Sequence, residues 1–258
     1  MYSVLVKNQK SKIINFLLMF ILFLGAQHAF SQGKIYAVLV GVSEHQDPSK
    51  NLDFSHRDAT EMYHLLKKHS SPDRIKLLTN SEARHDNIVR HAQNLFHQAK
   101  PEDMVIFFFS GHGNENGFVA HDKNLTYTTL QTIFKDCAAN RKMIFADACR
   151  SGSLRQPGES GRQATSNNQN VGADVMLFLS SRSDQTSWEY SNLKNGMFTY
   201  FLISGLSGKA DANKDNLITA IELFNYVNPN VKKKSDGTQT PVMWGNFDKN
   251  MVILKKVK

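Results

Sequence analysis

Two cysteines, Cys137 and Cys149, are all that the 258-residue chain contains. That is too few for the disulfide framework on which small exported domains rely. The apolar run at the N-terminus, residues 13–26, is fourteen residues long, short of the roughly twenty that a membrane-spanning helix needs. His85, His91 and His97 lie on the polar side of a predicted helix without the i, i+4 spacing of a metal-ligand pair, and read as surface residues. The basic excess gathers in Lys232, Lys233, Lys234, Lys255, Lys256 and Lys258. No aromatic side chains interleave with it, so it reads as a solvated tail and gives no reason to expect nucleic acid. Internal repeats are absent, which argues against a solenoid.

What remains is a chain able to bury one full core, since 41% of its residues are hydrophobic, and a single catalytic-size domain is expected. Its first residues have a separate logic. Lys7, Lys10 and Lys12 precede the apolar run, and Ala29-Phe30-Ser31 follow it. This is the basic, hydrophobic and small-residue order of a secretory signal. The expected organisation is a removable signal over residues 1–31 and a mature domain over 32–258, secreted or periplasmic, with no membrane contact in the mature form. Residues 1–31 hold three Lys and no acid, so their removal lowers the formal net charge from +8 to +5.

Within the mature domain, short apolar runs alternate with helical patterns, the layout of an α/β fold around a mostly parallel sheet. Strands are predicted over 35–42, 75–78, 104–109, 143–146 and 175–179. Their near-continuous apolar character suits strands covered on both faces. Helical spacing appears in Ala59, Met62, Tyr63 and Leu66, and again in Ile88, Ala92, Leu95, Phe96 and Ala99. Leu130, Ile133, Phe134 and Cys137 follow the same spacing, which reads Cys137 as a small buried core residue. Residues 151–172, rich in Ser, Gly, Asn and Gln, have no apolar period and read as a long mobile loop.

Reactive groups in open α/β sheets gather at the carboxyl ends of the strands. There the run 104–109 leads into Ser110-Gly111-His112-Gly113, and 143–146 into Asp147-Ala148-Cys149-Arg150-Ser151-Gly152. A cysteine attacks as its thiolate, and a nearby imidazole both stabilises that form and protonates a leaving amine. A histidine after a strand, taken alone, would read as a loop residue with a local hydrogen bond. Paired with a cysteine at the next strand end it reads as half of a catalytic dyad. Gly111 and Gly113 allow close backbone approach, and the N–H groups of Gly113 and Cys149 are candidates to face a developing oxyanion.

These two blocks resemble the catalytic blocks of caspase-like cysteine peptidases, closest to the metacaspase and bacterial caspase-domain branch. Asn51 to Leu66 resembles the first helix of that family, Ser180 to Gln185 its substrate-wall loop, and Asn195-Gly196-Met197-Phe198-Thr199 the helix that follows. The resemblance implies a three-layer sandwich with helices on both faces of the sheet. It implies His112 as general base and acid, Cys149 as nucleophile and Gly113 as oxyanion donor, acting on a protein or peptide. It also implies a pocket for the residue before the scissile bond, with Asp58 and Asp147 in the acidic positions and Ser180 on the wall. Two carboxylates in one small pocket repel unless a cation sits between them, so cleavage after Arg or Lys is expected. Arg57 and Arg150 depart from the pattern by standing beside the pocket and the nucleophile. The loop over 151–172 lies where caspases carry a linker cut on maturation, and its Arg155 and Arg162 suit self-cleavage.

Other readings compete at particular residues. Ser55 and Asp58 have the spacing of a capping box, and Asp147 is able simply to fix a backbone amide. Cys149-x-x-Gly152-x-x-Arg155 has the spacing of a cysteine-dependent phosphatase loop. The Gln156-Pro157-Gly158 that follows cannot begin the helix such a loop needs. A non-catalytic caspase-fold binding module is the remaining rival, because a fold does not guarantee an activity. No organic cofactor is implied. Asp211, Asn213, Asp215 and Glu222 fall at calcium-loop positions 1, 3, 5 and 12, so calcium is a candidate ion, with a polar turn that caps the next helix near Thr219 as the alternative. The residue pattern does not define an oligomeric state.

Overall fold

The computed structural model describes residues 33–114, 116–148, 174–180, 189–190 and 194–256. In chain order the elements are β1 (Ile35–Gly41), α1 (Ser55–Leu66), β2 (Ile75–Thr79), α2 (His85–Phe96), β3 (Met104–Gly111), β4 (Gly113–Asn114), β5 (Gly117–Val119), β6 (Asn124–Thr126), α3 (Tyr127–Lys135) and β7 (Arg141–Ala148). Then come β8 (Val175–Leu179), β9 (Glu189–Tyr190), β10 (Asn195–Gly196), α4 (Met197–Ser204), β11 (Leu217–Thr219), α5 (Ala220–Lys234), β12 (Val242–Trp244) and β13 (Val252–Lys255).

Six strands form the main sheet in the order β12-β8-β7-β3-β1-β2. The pairs β1 with β2, β1 with β3, β3 with β7 and β7 with β8 are parallel, and β12 closes one edge antiparallel to β8. Side chains of a strand alternate between the two faces of its sheet, and here both faces are covered. Tyr36, Val38 and Val40 of β1 join Val105, Phe107 and Phe109 of β3 in a core completed by Ile88, Ala92 and Phe96 of α2 and Leu130 and Phe134 of α3. Ile35, Ala37 and Leu39 join Met104, Ile106 and Phe108 in a second core, under Ala59 and Met62 of α1, Phe198 and Leu202 of α4 and Val227 of α5. The result is the three-layer α/β sandwich that the continuous apolar runs require.

Two expectations change in detail. Cys137 is buried, at 5% exposure, but α3 ends at Lys135 and Cys137 follows it in a turn whose N–H reaches the Phe134 carbonyl at 3.3 Å. The capping box that competed as a reading of Ser55 and Asp58 does not form. Phe54 is the N-cap of α1 without a side-chain cap bond, because Asp58 turns inward to partners on other elements.

α1 lies close on the sheet because β1 ends in a glycine. A Cβ on Gly41 would collide with the Ser55 carbonyl and come within 2.8 Å of the His56 Cα. That contact sets how deeply Asp58, one turn along α1, reaches toward the end of β3. At that end Phe109 stacks on Phe118 with ring centroids 4.5 Å apart, both fully buried. Phe109→Ala is expected to destabilise the domain by about 3–5 kcal/mol, measured as a lower urea midpoint with an unchanged slope.

Candidate active site

The site occupies the carboxyl edge of β3 and β7. Their register runs from Met104 opposite Arg141 to Gly111 opposite Ala148. The residues that follow these last partners are His112 and Cys149. Cys149 and Arg150 lie outside the described residues, as do the loop 151–172 with Arg155 and Arg162, residues 181–185 of the expected wall loop, and the expected signal.

His112 is half-buried, and its ring is oriented by a backbone group. Nε2 lies 2.8 Å from the carbonyl oxygen of Lys50. A carbonyl only accepts, so Nε2 carries the hydrogen, and in the neutral ring Nδ1 is left as the basic nitrogen. Lys50 ends a short 3₁₀ turn, Pro48–Lys50, in which the Asp47 carboxylate accepts from the Ser49 N–H at 3.1 Å. The same loop is tied down by Asn80, whose Oδ1 accepts from the N–H groups of Ser43 (3.0 Å) and Glu44 (3.2 Å). Asn51 Oδ1 accepts from the N–H of His45 at 2.9 Å. The His45 ring packs on that of His112 with centroids 5.2 Å apart and a 41° tilt. Gly113, the candidate oxyanion donor, opens β4 opposite Phe118.

Asp58 and Asp147 come together beneath this edge, 1% and 5% exposed. Both approach Gly196, where an added Cβ would collide with Asp147 and stand 2.8 Å from Asp58 Oδ2. Asp58 Oδ2 accepts from the Ser110 hydroxyl at 2.7 Å. Its Oδ1 accepts from Asn195 Nδ2 at 2.9 Å and the Gly196 N–H at 3.0 Å. Asp147 Oδ2 accepts from the Thr199 hydroxyl at 2.9 Å and the Thr199 N–H at 3.1 Å. Burial raises the Asp58 carboxyl well above its usual range, the nearby Asp147 charge raises it further, and the Asn195, Ser110 and Gly196 hydrogen bonds oppose both. Arg57, which the sequence places beside Asp58, faces Glu61 instead, at 3.8 Å across half-exposed surface.

Ser180 is fully buried, and its hydroxyl accepts from the Ala148 N–H at 3.2 Å. It supports the last residue of β7. Sequence reasoning missed Lys50, because a backbone carbonyl carries no side-chain signal, although Pro48 and Asn51 mark its turn. It also assigned no role to Ser110, Asn195 or Thr199, whose partners are remote in the chain.

The loop 211–222 holds itself together. Asp211 Oδ2 accepts from the Asn216 N–H and Asp215 Oδ1 from the Leu217 N–H. Thr219 and Glu222 form a reciprocal capping box at the start of α5. Asn216 takes the left-handed conformation, φ 66°, that the turn demands. Among the described residues no group of three or more His, Cys, Asp or Glu side chains is placed to hold a metal, and no helix is long and apolar enough to cross a membrane.

A mostly parallel α/β sheet with its polar groups at the carboxyl ends of adjacent central strands defines the class of the protein. The caspase-domain model of peptidase family C14 matches residues 34–252, and the chain belongs to the caspase-domain family. No curated protein matches the sequence. Among solved structures, caspase-1 from Spodoptera frugiperda is 17% identical over 87% of this chain and 91% of its own, with a TM-score of 0.65. The pro form of that caspase is 16% identical over 86% and 95%, TM-score 0.60. A structural-genomics protein from Geobacter sulfurreducens is 13% identical over 87% and 100%, TM-score 0.63. At such identities the likeness establishes the fold.

The acidic pair makes stability depend on pH. The folded state holds the Asp58 proton more tightly than the unfolded chain does. Its contribution to folding is complete below the usual carboxylate range and is lost as pH rises through the elevated folded value. Asp58→Asn cannot ionise. Its melting temperature relative to wild type is expected to climb between about pH 4 and about pH 8 and to level off above that, and parallel melting curves across that range would contradict the raised carboxyl.

Proposed function

We propose that the protein is a cysteine endopeptidase that uses His112 and Cys149 and cuts after Arg or Lys. The observation that carries this reading is the His112 ring, fixed as the Nε2–H tautomer by Lys50 one residue beyond the Gly111 and Ala148 pair. Nδ1 takes the proton of the Cys149 thiol, and the thiolate attacks the peptide carbonyl carbon. The imidazolium gives the proton to the departing amine as the carbon–nitrogen bond breaks. Water, deprotonated by the same nitrogen, then hydrolyses the thioester and restores the thiol. The Gly113 and Cys149 N–H groups are assigned to the oxyanion.

The buried acids support the choice of a basic side chain. Burial and the Asp147 charge both disfavour ionisation of Asp58, and among the described residues the neighbouring Arg57 is engaged with Glu61. A bound guanidinium or ammonium group relieves that repulsion and favours both carboxylates, whereas a third carboxylate would worsen it. Residues 1–31 are assigned to export, which predicts a mature N-terminus near Gln32.

A panel of fluorogenic peptides ending in Arg, Lys, Asp or Asn tests the reading. Turnover of the Arg and Lys peptides is expected, with losses of about 10³-fold or more for Cys149→Ala and for His112→Ala. Preference for the Asp peptide, or wild-type turnover by Cys149→Ala, would reject it. Basic selectivity also has a pH signature. The ratio of kcat/KM for Arg to that for its uncharged isostere citrulline is expected to rise with pH as Asp58 ionises, and to lose that slope in Asp58→Asn.

A further inference from the structure

The segment that carries the Lys50 carbonyl leaves the sheet between two other strands. β1 lies between β2 and β3, and its last residue, Gly41, pairs with Thr79 of β2 on one side and with Ser110 of β3 on the other. The residues that follow in the three segments are Asn80, Val42 and Gly111. His112 therefore stands on one flank of the outgoing loop and Asn80 on the other. Asn80 Oδ1 accepts from two successive N–H groups of that loop, those of Ser43 at 3.0 Å and Glu44 at 3.2 Å. The Val42 N–H donates to the Ser110 carbonyl at 3.0 Å, so the start of the loop is gripped from both flanks. Further on, the same loop returns its Lys50 carbonyl to His112 Nε2.

Asn80 has a left-handed backbone, φ 47°. Asparagine tolerates that conformation and glycine adopts it without steric cost, so the turn alone does not call for an asparagine. What the side chain adds is an acceptor with two lone pairs, spent on the point where the loop departs. We propose that Asn80 is a positioning residue for His112, fixing the start of the loop so that the Lys50 carbonyl meets Nε2 and Nδ1 is presented to the thiol. This rests on the peptidase reading above. Asn80 touches none of the reacting atoms, and its effect passes through the loop to the carbonyl. The Glu44 carbonyl keeps a second tie, to His121 Nδ1 at 2.8 Å, so loss of the Asn80 acceptor loosens the loop without releasing it.

Two variants separate the acceptor from the turn. Asn80→Gly keeps the turn and removes the acceptor, whereas Asn80→Asp keeps both. Each is compared with wild type in hydrolysis of an Arg-ended fluorogenic peptide and in alkylation of Cys149 by iodoacetamide, followed across pH by mass spectrometry of the Cys149 peptide. Asn80→Gly is expected to lose about tenfold in kcat with KM unchanged. The pH midpoint of its Cys149 alkylation is expected to rise, because a displaced imidazolium stabilises the thiolate less. Asn80→Asp is expected to recover most of both. Wild-type kcat in Asn80→Gly would show the acceptor to be idle. A lower kcat with an unmoved alkylation profile would put the effect somewhere other than His112, and no recovery in Asn80→Asp would show that position 80 supplies something other than an acceptor. Each of these results overturns the proposal and leaves the dyad standing. Alkylation of Cys149 that ignores His112→Ala would instead sink the dyad itself, and this inference with it.

Discussion

The parallel pairing of β3 with β7 is the constraint on which the rest of the molecule depends. Eight consecutive partners, from Met104 with Arg141 to Gly111 with Ala148, leave no freedom in where the two strands end relative to each other. Because strand side chains alternate, a slip of one residue would turn Phe107 and Phe109 out of one core and Ile106 and Phe108 out of the other. The same cores that stabilise the sandwich therefore fix which residues emerge side by side at its carboxyl edge. Ser110 faces Asp147 across this register and reaches Asp58 on α1, so the acidic pair is built from the same pairing.

That pair is an unfavourable arrangement for a protein at rest. Burial and the nearby Asp147 charge both disfavour the ionised form of Asp58, and the donors of Ser110, Asn195 and Gly196 offset only part of that. Residues aimed purely at stability would place an amide or an apolar side chain at position 58. Strain of this kind concentrates where a fold is used for binding or chemistry. The approach of both carboxylates to Gly196 explains why that position must lack a side chain.

Much of this was legible in the residues, because five of the six sheet strands are apolar runs with nothing to mimic. Where boundaries shifted, the physics is local. β7 begins two residues before its apolar run, with Lys142 at 8% exposure paired to Asp174 at 2.7 Å, so a charge is hidden that sequence would leave outside. β3 continues through Ser110 and Gly111 because their backbone groups still have partners in β7. The edge strand β12 is three residues long and follows Pro241, too short for any periodicity. Ser55 and Asp58 show why the competing capping reading fails. Their spacing is that of a cap, but a carboxylate drawn to Asn195, 137 residues away, obeys tertiary geometry that no local pattern contains.

The group that orients His112 bears on which nucleophile the site is built for. A carboxylate behind an imidazole holds its tautomer and also stabilises the imidazolium, which a serine needs because its hydroxyl is far too weak an acid to lose a proton unaided. The Lys50 carbonyl does the first of these and little of the second, since it carries no net charge. Such a site would be poorly equipped to activate an alcohol. It suffices for a thiol, whose pKa already lies near neutrality and whose thiolate is intrinsically nucleophilic. A neutral orienting group thus suits the thiol nucleophile of the proposed dyad, the cysteine that the sequence supplies at position 149.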